Sequence, residues 1–192
     1  MISQSVDAGA EPEYLGISSD DESSIHQVIE QALAGNDLIL ISGGVSMGDF
    51  DIVPGILEKA GFKLQFKSIA IQPGRPTIFG TRDSKYAFGL PGNPVSSFVI
   101  FELLVKPLVF KLMGKEHDPP KLKLPLSGGF KRKRAGCEKW IPVNITDSTI
   151  AIPVFYQGSS HIHALTDAQG LSCIQIGVYE IKPGEIIDVR PI

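Results

Sequence analysis

Apolar positions along the first 115 residues follow two different rhythms. Between Asp20 and Leu33 they fall at Ile25, Val28, Ile29, Ala32 and Leu33, a spacing that lines one face of a helix. Acidic and hydroxyl residues cluster where that stripe begins and Gly35 follows its end, as helix termini favour. Residues 37–41 instead form an unbroken apolar run of strand length, which suits a strand covered on both faces of a parallel sheet. Residues 13–17, 62–71, 77–81 and 86–90 read as further strands, and 52–60 as a short helix. Residues 93–113 read as a long helix, apolar nearly all round and so largely buried. Pro107 removes one backbone donor there and is expected to kink or end the helix nearby. Strands alternating with helices predict an α/β layer fold.

After the stretch GKEHDPPK (114–121) no helical stripe survives. Short apolar runs at 122–126, 139–145, 149–153, 173–176 and 186–189 are separated by turns, of which Pro183-Gly184 is the strongest signal. Short strands at close spacing predict a small all-β barrel or sandwich. The Pro119-Pro120 pair marks the change, giving an α/β domain over 1–117 and a β-domain over 118–192.

Composition narrows the class. With 43% hydrophobic and 20% charged residues, the 192-residue chain has the make-up of an ordinary globular protein. A net charge of −3 favours neither nucleic acid nor an acidic membrane surface as partner. The first residues, MISQSVDAGAEPEYLG, lack the basic lead and apolar core of a signal peptide. The oiliest stretch, 98–113, is interrupted by Glu102, Lys106 and Pro107, short of the roughly 20 apolar residues that span a bilayer. Cys137 and Cys173 match no metal-ligand spacing, and two free buried thiols in a reducing cytoplasm are the economical reading.

Candidate chemistry concentrates where strands end, the edge at which open α/β sheets bind ligands. LILISGGVSMGDFD (38–51) runs an oily strand into Ser42, Gly43 and Gly44, then Ser46, Gly48 and the two acids Asp49 and Asp51. GLPGNPVSS (89–97) links a strand to the long helix, with Pro91, Gly92, Asn93 at the N-cap, Pro94 in the first turn and Ser96 behind it. IQPGRP (71–76) carries Pro73, Gly74, Arg75 and Pro76. Each has a plain structural reading: the glycines permit tight turns, Asp51 caps the helix at 52, and PGNP stiffens a helix start. Together they point further. Backbone N–H groups at helix starts, hydroxyls at Ser42, Ser46 and Ser96, and the Arg75 guanidinium suit a phosphate or other oxyanion. Asp49 and Asp51 beside such a cradle call for a cation between, Mg²⁺ by the usual preference of carboxylates.

These three motifs, in this order and spacing, resemble those of the MoeA-type molybdopterin molybdenumtransferases (the gephyrin E-domain family), over essentially the whole chain. The resemblance implies a MogA-like doubly wound sheet followed by a small β-barrel. It also implies molybdenum cofactor biosynthesis: Mg²⁺-dependent insertion of molybdate into an adenylylated molybdopterin. By motif, Asp51, with Asp49, matches the essential acid and metal ligand. Ser46, Arg75, Pro76 and the PG-R-P turn match the molybdate pocket, joined by Ser160 of QGSSHI. Gly92, Asn93 and Ser96 match the loop at the pterin phosphate. A cytoplasmic homodimer and a MogA-like adenylyltransferase partner are further implications.

The chain departs from that pattern in places. Gln72 and Arg75 stand where the family turn reads K-P-G-K-P, and Cys137 and Pro142 where many members carry arginines. Arg132 or Arg134 could substitute, although KRKR (131–134) also reads as a solvated hairpin. The family's opening strand and TGDE-like loop have no counterpart ahead of MISQSV, so the resemblance implies a first strand missing and a C-terminal half of a transferase. A non-catalytic molybdopterin-binding or scaffold fragment is the alternative, and a MogA- or CinA-like relative is disfavoured by the β-domain. His161 and His163, two apart without a third ligand, read as polar residues of that domain, and Trp140 and Tyr156 as its core.

Overall fold

The computed structural model describes residues 1–45, 52–146, 149–154 and 162–192, with 162–164 described by their backbone alone. It divides into two compact units, one of residues Met1–Ile69 and Gly74–Lys115, the other of Ala70–Pro73 and Glu116–Ile192.

In the first unit, helix α1 (Ile2–Asp7) and helix α2 (Glu22–Gly35) precede strand β1 (Leu38–Ser42), helix α3 (Ile52–Lys59) and strand β2 (Lys63–Phe66). Strand β3 (Ile71–Gln72) belongs to the second unit. The chain then returns for β4 (Ile78–Arg82), β5 (Lys85–Leu90) and a helix made of α4 (Pro94–Ile100), a π turn (Phe101–Val105) and α5 (Lys106–Leu112). The sheet order is β1-β5-β4-β2. Only β1 and β5 are parallel; β4 and β5 form a hairpin with Asp83 at φ 50°, and so short a link leaves room only for the antiparallel arrangement. The sheet expected to be parallel is therefore mixed.

The stripe on α2 lands as the pattern demands. Ile29 and Ala32 are buried with Ile39 of β1, Val53, Ile56 and Leu57 of α3, Ile78 of β4 and Ala87 of β5. The helix begins at Asp21, whose carboxylate accepts the Ser24 N–H at 2.8 Å. On β4 and β5, Phe79 sets its ring, tilted, with its centre 4.6 Å from that of Phe88 and 5.7 Å from that of Phe66 of β2.

Three expectations change here. Residues 13–17 are not a strand: Leu15 packs on the core, but Tyr14 and Ile17 are exposed and no described strand offers the segment a ladder. The apolar run 62–71 is split between two sheets, β2 and β3, after a register shift between Leu64 and Phe66. Pro107 does not break the long helix. A π turn immediately before it widens the backbone, and helical dihedrals continue through Lys106 (φ −55°, ψ −47°). That turn holds the buried Glu102, which takes Gln4 of α1 at 3.0 Å and Lys106 at 3.2 Å.

The second unit adds β6 (Leu122–Pro125), β7 (Phe130–Lys131), β8 (Glu138–Thr146), β9 (Ile150–Pro153), a 3-10 turn (Ile162–Asp167), β10 (Gly170–Ile174), β11 (Glu180–Ile181) and β12 (Ile186–Pro191). Its main sheet runs β3-β8-β10-β12-β6, with β9 also on β8. The rolled sheet meets itself at the Leu126–Ala151 bridge, reinforced by the Ser127 N–H on the Ala151 carbonyl at 2.8 Å. Leu124, Leu126, Ile141, Val143, Ala151, Ile174, Ile187 and Val189 fill the inside. The strand expected at 173–176 lies earlier, because buried Gly170 is needed against β12: a Cβ there would meet Val189 Cγ1 at 2.5 Å. Trp140, expected in the core, lies on the other face of β8 from Ile141 and donates Nε1–H to Glu138 at 3.2 Å. The β7–β11 ribbon and the 3-10 turn had no counterpart in the apolar pattern.

Candidate functional site

The parallel register of β1 and β5 decides where two of the motif loops go. Leu38 pairs with Tyr86 and Ser42 with Leu90, so both strands end level and their loops leave side by side. The Gly43 N–H donates to the Leu90 carbonyl at 3.0 Å. Gly43 and Gly44 have φ of 95° and 64°, a region that L side chains avoid. A Cβ on Gly92 would stand 3.4 Å from the Gly43 Cα, and one on Gly44 would strike Val53 Cγ2 at 2.9 Å. Two loops some fifty residues apart in sequence thus lie backbone against backbone, and the positive φ of Gly43 and Gly44 is what asks for glycine there.

The PGNP turn is held from behind. Ser97, buried in α4, directs its hydroxyl to the Pro91 carbonyl and to the Asn93 carbonyl (2.9 Å), while its N–H donates to Asn93 O at 3.0 Å. Pro94 has no N–H, so Val95 and Ser96 supply the first turn's donors, and neither bonds a described residue. Asn93 occupies the N-cap but makes no capping bond with its side chain. Its Oδ1 is buried with no hydrogen-bond partner among the described residues. An unmade bond of that kind costs about 1–3 kcal/mol, so it marks a place where a further donor is expected.

The third loop is pinned as firmly. Gly74 (φ 117°) lies so close to α4 that a Cβ would overlap Ile100 Cδ1 at 2.3 Å. Buried Thr77 donates its hydroxyl to the Gly74 carbonyl at 2.6 Å, and the Ile69 N–H reaches the Arg75 carbonyl at 3.0 Å. This leaves the Arg75 side chain exposed, with no ion pair to a described residue. Pro76 is half-buried beside it, and Pro73, on the other side of Gly74, belongs to the second unit.

The motif residues the structure brings together are therefore Gly43 and Gly44 after β1, with Ser42 exposed at its last position, and Pro91, Gly92, Asn93, Pro94 and Ser96 after β5. The Gly43 N–H, expected to face a ligand, is spent on Leu90. Ser46, Gly48, Asp49, Asp51 and Ser160 lie outside the described residues. Among the described residues no group of three or more His, Cys, Asp or Glu gathers in a way that could hold a metal. No helix of the described residues is long and apolar enough to cross a membrane.

Two arrangements escaped the sequence. Ser97 gave no signal beyond sitting in a helix start. Arg132, read as part of a solvated hairpin or a stand-in for missing arginines, instead donates to the carbonyls of Val178 (2.7 Å), Cys137 (2.7 Å) and Gln175 (2.5 Å). Its fork closes the turn around β7 and is not offered outward.

Comparison with known proteins places this geometry. Residues 1–111 match a family model described as a probable molybdopterin binding domain. The molybdopterin molybdenumtransferase of Staphylococcus epidermidis is 36% identical over 167 residues, covering 85% of this chain and 40% of the relative. That of Haemophilus influenzae is 43% identical over 108 residues, 55% of this chain and 26% of the relative. A solved molybdopterin biosynthesis MoeA protein from Pyrococcus horikosii superimposes with a TM-score of 0.84 at 31% identity, over 98% of this chain and 46% of that one. This chain thus spans less than half the length of these relatives. By the family model, by these identities and by the fold, the chain belongs to the molybdopterin-binding domain family and is of the MoeA type.

Proposed function

We propose that this chain is the substrate-binding portion of a molybdopterin molybdenumtransferase, acting in molybdenum cofactor biosynthesis. The observation that carries the reading is the Gly43–Gly92 contact with Asn93 Oδ1 buried and unpaired beside it. Two side-chain-free loop turns lying together, bordered by the Val95 and Ser96 N–H groups, suit a flat ligand bearing both a phosphate and hydrogen-bond donors. Molybdopterin has both. Its phosphate is assigned to the two N–H groups and the Ser96 hydroxyl, and an N–H or O–H of the ligand to Asn93 Oδ1. Molybdate, a dianion, is assigned to Arg75, with Ser46 and Ser160 as further donors.

Asp51, with Asp49, has the oxygen donor set that Mg²⁺ prefers, and both acids follow the Gly43-Gly44 turn in sequence. Mg²⁺ bound there would neutralise charge on the adenylyl phosphate of an activated pterin. The chain's own residues then do the rest: the glycine contact fixes the plane of the ligand, Asn93 its orientation, and Arg75 the approach of the oxyanion. A homodimer and a MogA-like adenylyltransferase supplying the activated pterin complete the proposal.

The test is a titration of the 192-residue protein with molybdopterin by calorimetry, alongside Asn93→Ala. Binding weakened about tenfold or more, with an undiminished melting temperature, is expected, since the variant deletes an acceptor the fold does not use. Equal affinity in the two proteins overturns the assignment. Molybdenum insertion in the presence of Mg²⁺, lost in Asp51→Ala, separates the transferase from the alternative of a non-catalytic molybdopterin-binding or scaffold fragment, which binds the pterin and inserts nothing.

A further inference from the structure

We infer that Ser97 is a positioning residue of this site: by holding the Pro91 carbonyl it turns the Pro91–Gly92 peptide so that the Gly92 N–H faces outward as a donor to the bound ligand.

Pro91 is a buried residue, and its carbonyl needs a donor. Among the described residues that donor is the Ser97 hydroxyl alone. The Asn93 carbonyl also faces this hydroxyl, at 2.9 Å, but it already accepts the Ser97 N–H at 3.0 Å. A hydroxyl has one proton to give, and Pro91 is where it is needed. Ser97 sits within α4 and is only 6% exposed, so it touches no ligand itself.

The rest follows from peptide geometry. On the near side of the turn the Leu90 carbonyl is taken by the Gly43 N–H at 3.0 Å, and the ring of Pro91 fixes its own φ. The first peptide free to rotate is therefore Pro91–Gly92, with a glycine on its far side that lets the plane turn over. This peptide is trans, the cis bond of the described residues being Gln72-Pro73. In a trans peptide C=O and N–H point in opposite directions. A Pro91 carbonyl drawn inward to α4 thus sends the Gly92 N–H away from α4. Gly92 is exposed, and its N–H bonds no described residue. It joins the open N–H groups of Val95 and Ser96 as a third backbone donor at the same turn. The ligand atom it would meet is an acceptor oxygen.

The identity of that ligand rests on the transferase reading above, and the experiment keeps the two ideas apart. Ser97→Thr keeps the hydroxyl, Ser97→Val has the outline of threonine without it, and Ser97→Ala removes it with the least bulk. In calorimetric titration of the 192-residue protein with molybdopterin, Ser97→Thr is expected to bind within about threefold of wild type. Ser97→Val and Ser97→Ala should bind about tenfold more weakly. Equal affinity in Ser97→Ala and wild type overturns the inference, as does a folded Ser97→Thr that binds no better than Ser97→Val. Amide exchange by NMR reads the orientation with no variant at all. In the free wild type the Gly92 amide should exchange about a hundredfold or more faster than the Gly43 amide, which is bonded to Leu90. Molybdopterin should then slow Gly92 several-fold. A Gly92 amide as protected as Gly43 in the free protein, or one that bound molybdopterin leaves unchanged, overturns the inference even if every variant fails to fold. Absence of molybdopterin binding by the wild type overturns the transferase reading, and the Gly92 rate still decides which way the peptide faces.

Discussion

Single residues in this protein show how the same group can be spent or kept. Cys173 is a spent thiol. Burial chiefly, and then the neighbouring Glu138 charge and hydrogen bond, push its pKa up to about 12. It should stay protonated at neutral pH and resist alkylation. Iodoacetamide at pH 8 followed by peptide mass spectrometry is expected to leave Cys173 largely unmodified in the folded protein and to label it fully after denaturation. Arg132 is spent as well, and a lysine in its place would keep the charge but lose a fork that serves three carbonyls. Arg132→Lys should cost about 2 kcal/mol in chemical denaturation, given the worth of charge-assisted hydrogen bonds. Asn93 is the opposite case. The sequence marked it as a helix N-cap, and the local rule held for the backbone (φ −76°, ψ 122°). The rule failed for the side chain, because Ser97, four residues on, already secures the turn. Cap propensity is local, whereas the use of the side chain depends on what else fills the site.

Elements were legible where one face meets one core. The stripe on α2 named its buried residues in advance, and its cap can be tested directly. Hydrogen bonds from Ser19 first, and then from Ser24, lower the Asp21 pKa from 3.8 to about 2. A carboxylate with a depressed folded pKa stabilises the fold above its unfolded value and loses that contribution as pH falls through the folded one. Asp21→Ala should therefore melt at a lower temperature than wild type at pH 7. The gap is expected to close between about pH 4 and pH 2, by calorimetry at several pH values. Gly74 gives a sharper case. Its positive φ and the 2.3 Å approach of a Cβ to Ile100 mean that Gly74→Ala is both strained and overpacked. A loss of about 2–3 kcal/mol is expected, and the double mutant with Ile100→Ala should lose less than the two single losses added together. Elements were illegible where the partner was distant in the chain. Residues 13–17 have strand composition without a ladder, and the run 62–71 gave no hint that its end pairs with Glu138 and Lys139, some 67 residues later. Nor could composition foresee that a π turn would absorb Pro107.

At the level of the whole molecule, β1 stands at the end of its sheet, bonded among the described residues to β5 alone. A strand of sequence LILIS is unusually oily for an edge, and such edges invite pairing with other chains. The purified 192-residue protein is expected to self-associate as concentration rises. Replacing Leu40, which is half-buried, with lysine should shift light scattering towards smaller species. The change of rhythm near 114–121 suggests consecutive blocks, whereas the two compact units alternate along the chain: four residues of the second, Ala70–Pro73, fall within the sequence span of the first.

That alternation makes the second unit impossible to excise by one cut. A protease nicking the chain near Lys115 would sever the backbone, yet the pairing of Ile71 and Gln72 with β8 would still stitch the pieces together. Recombinant 116–192 on its own would be born with a bare flank at the start of β8, and a synthetic peptide matching 67–76 is the natural patch for it.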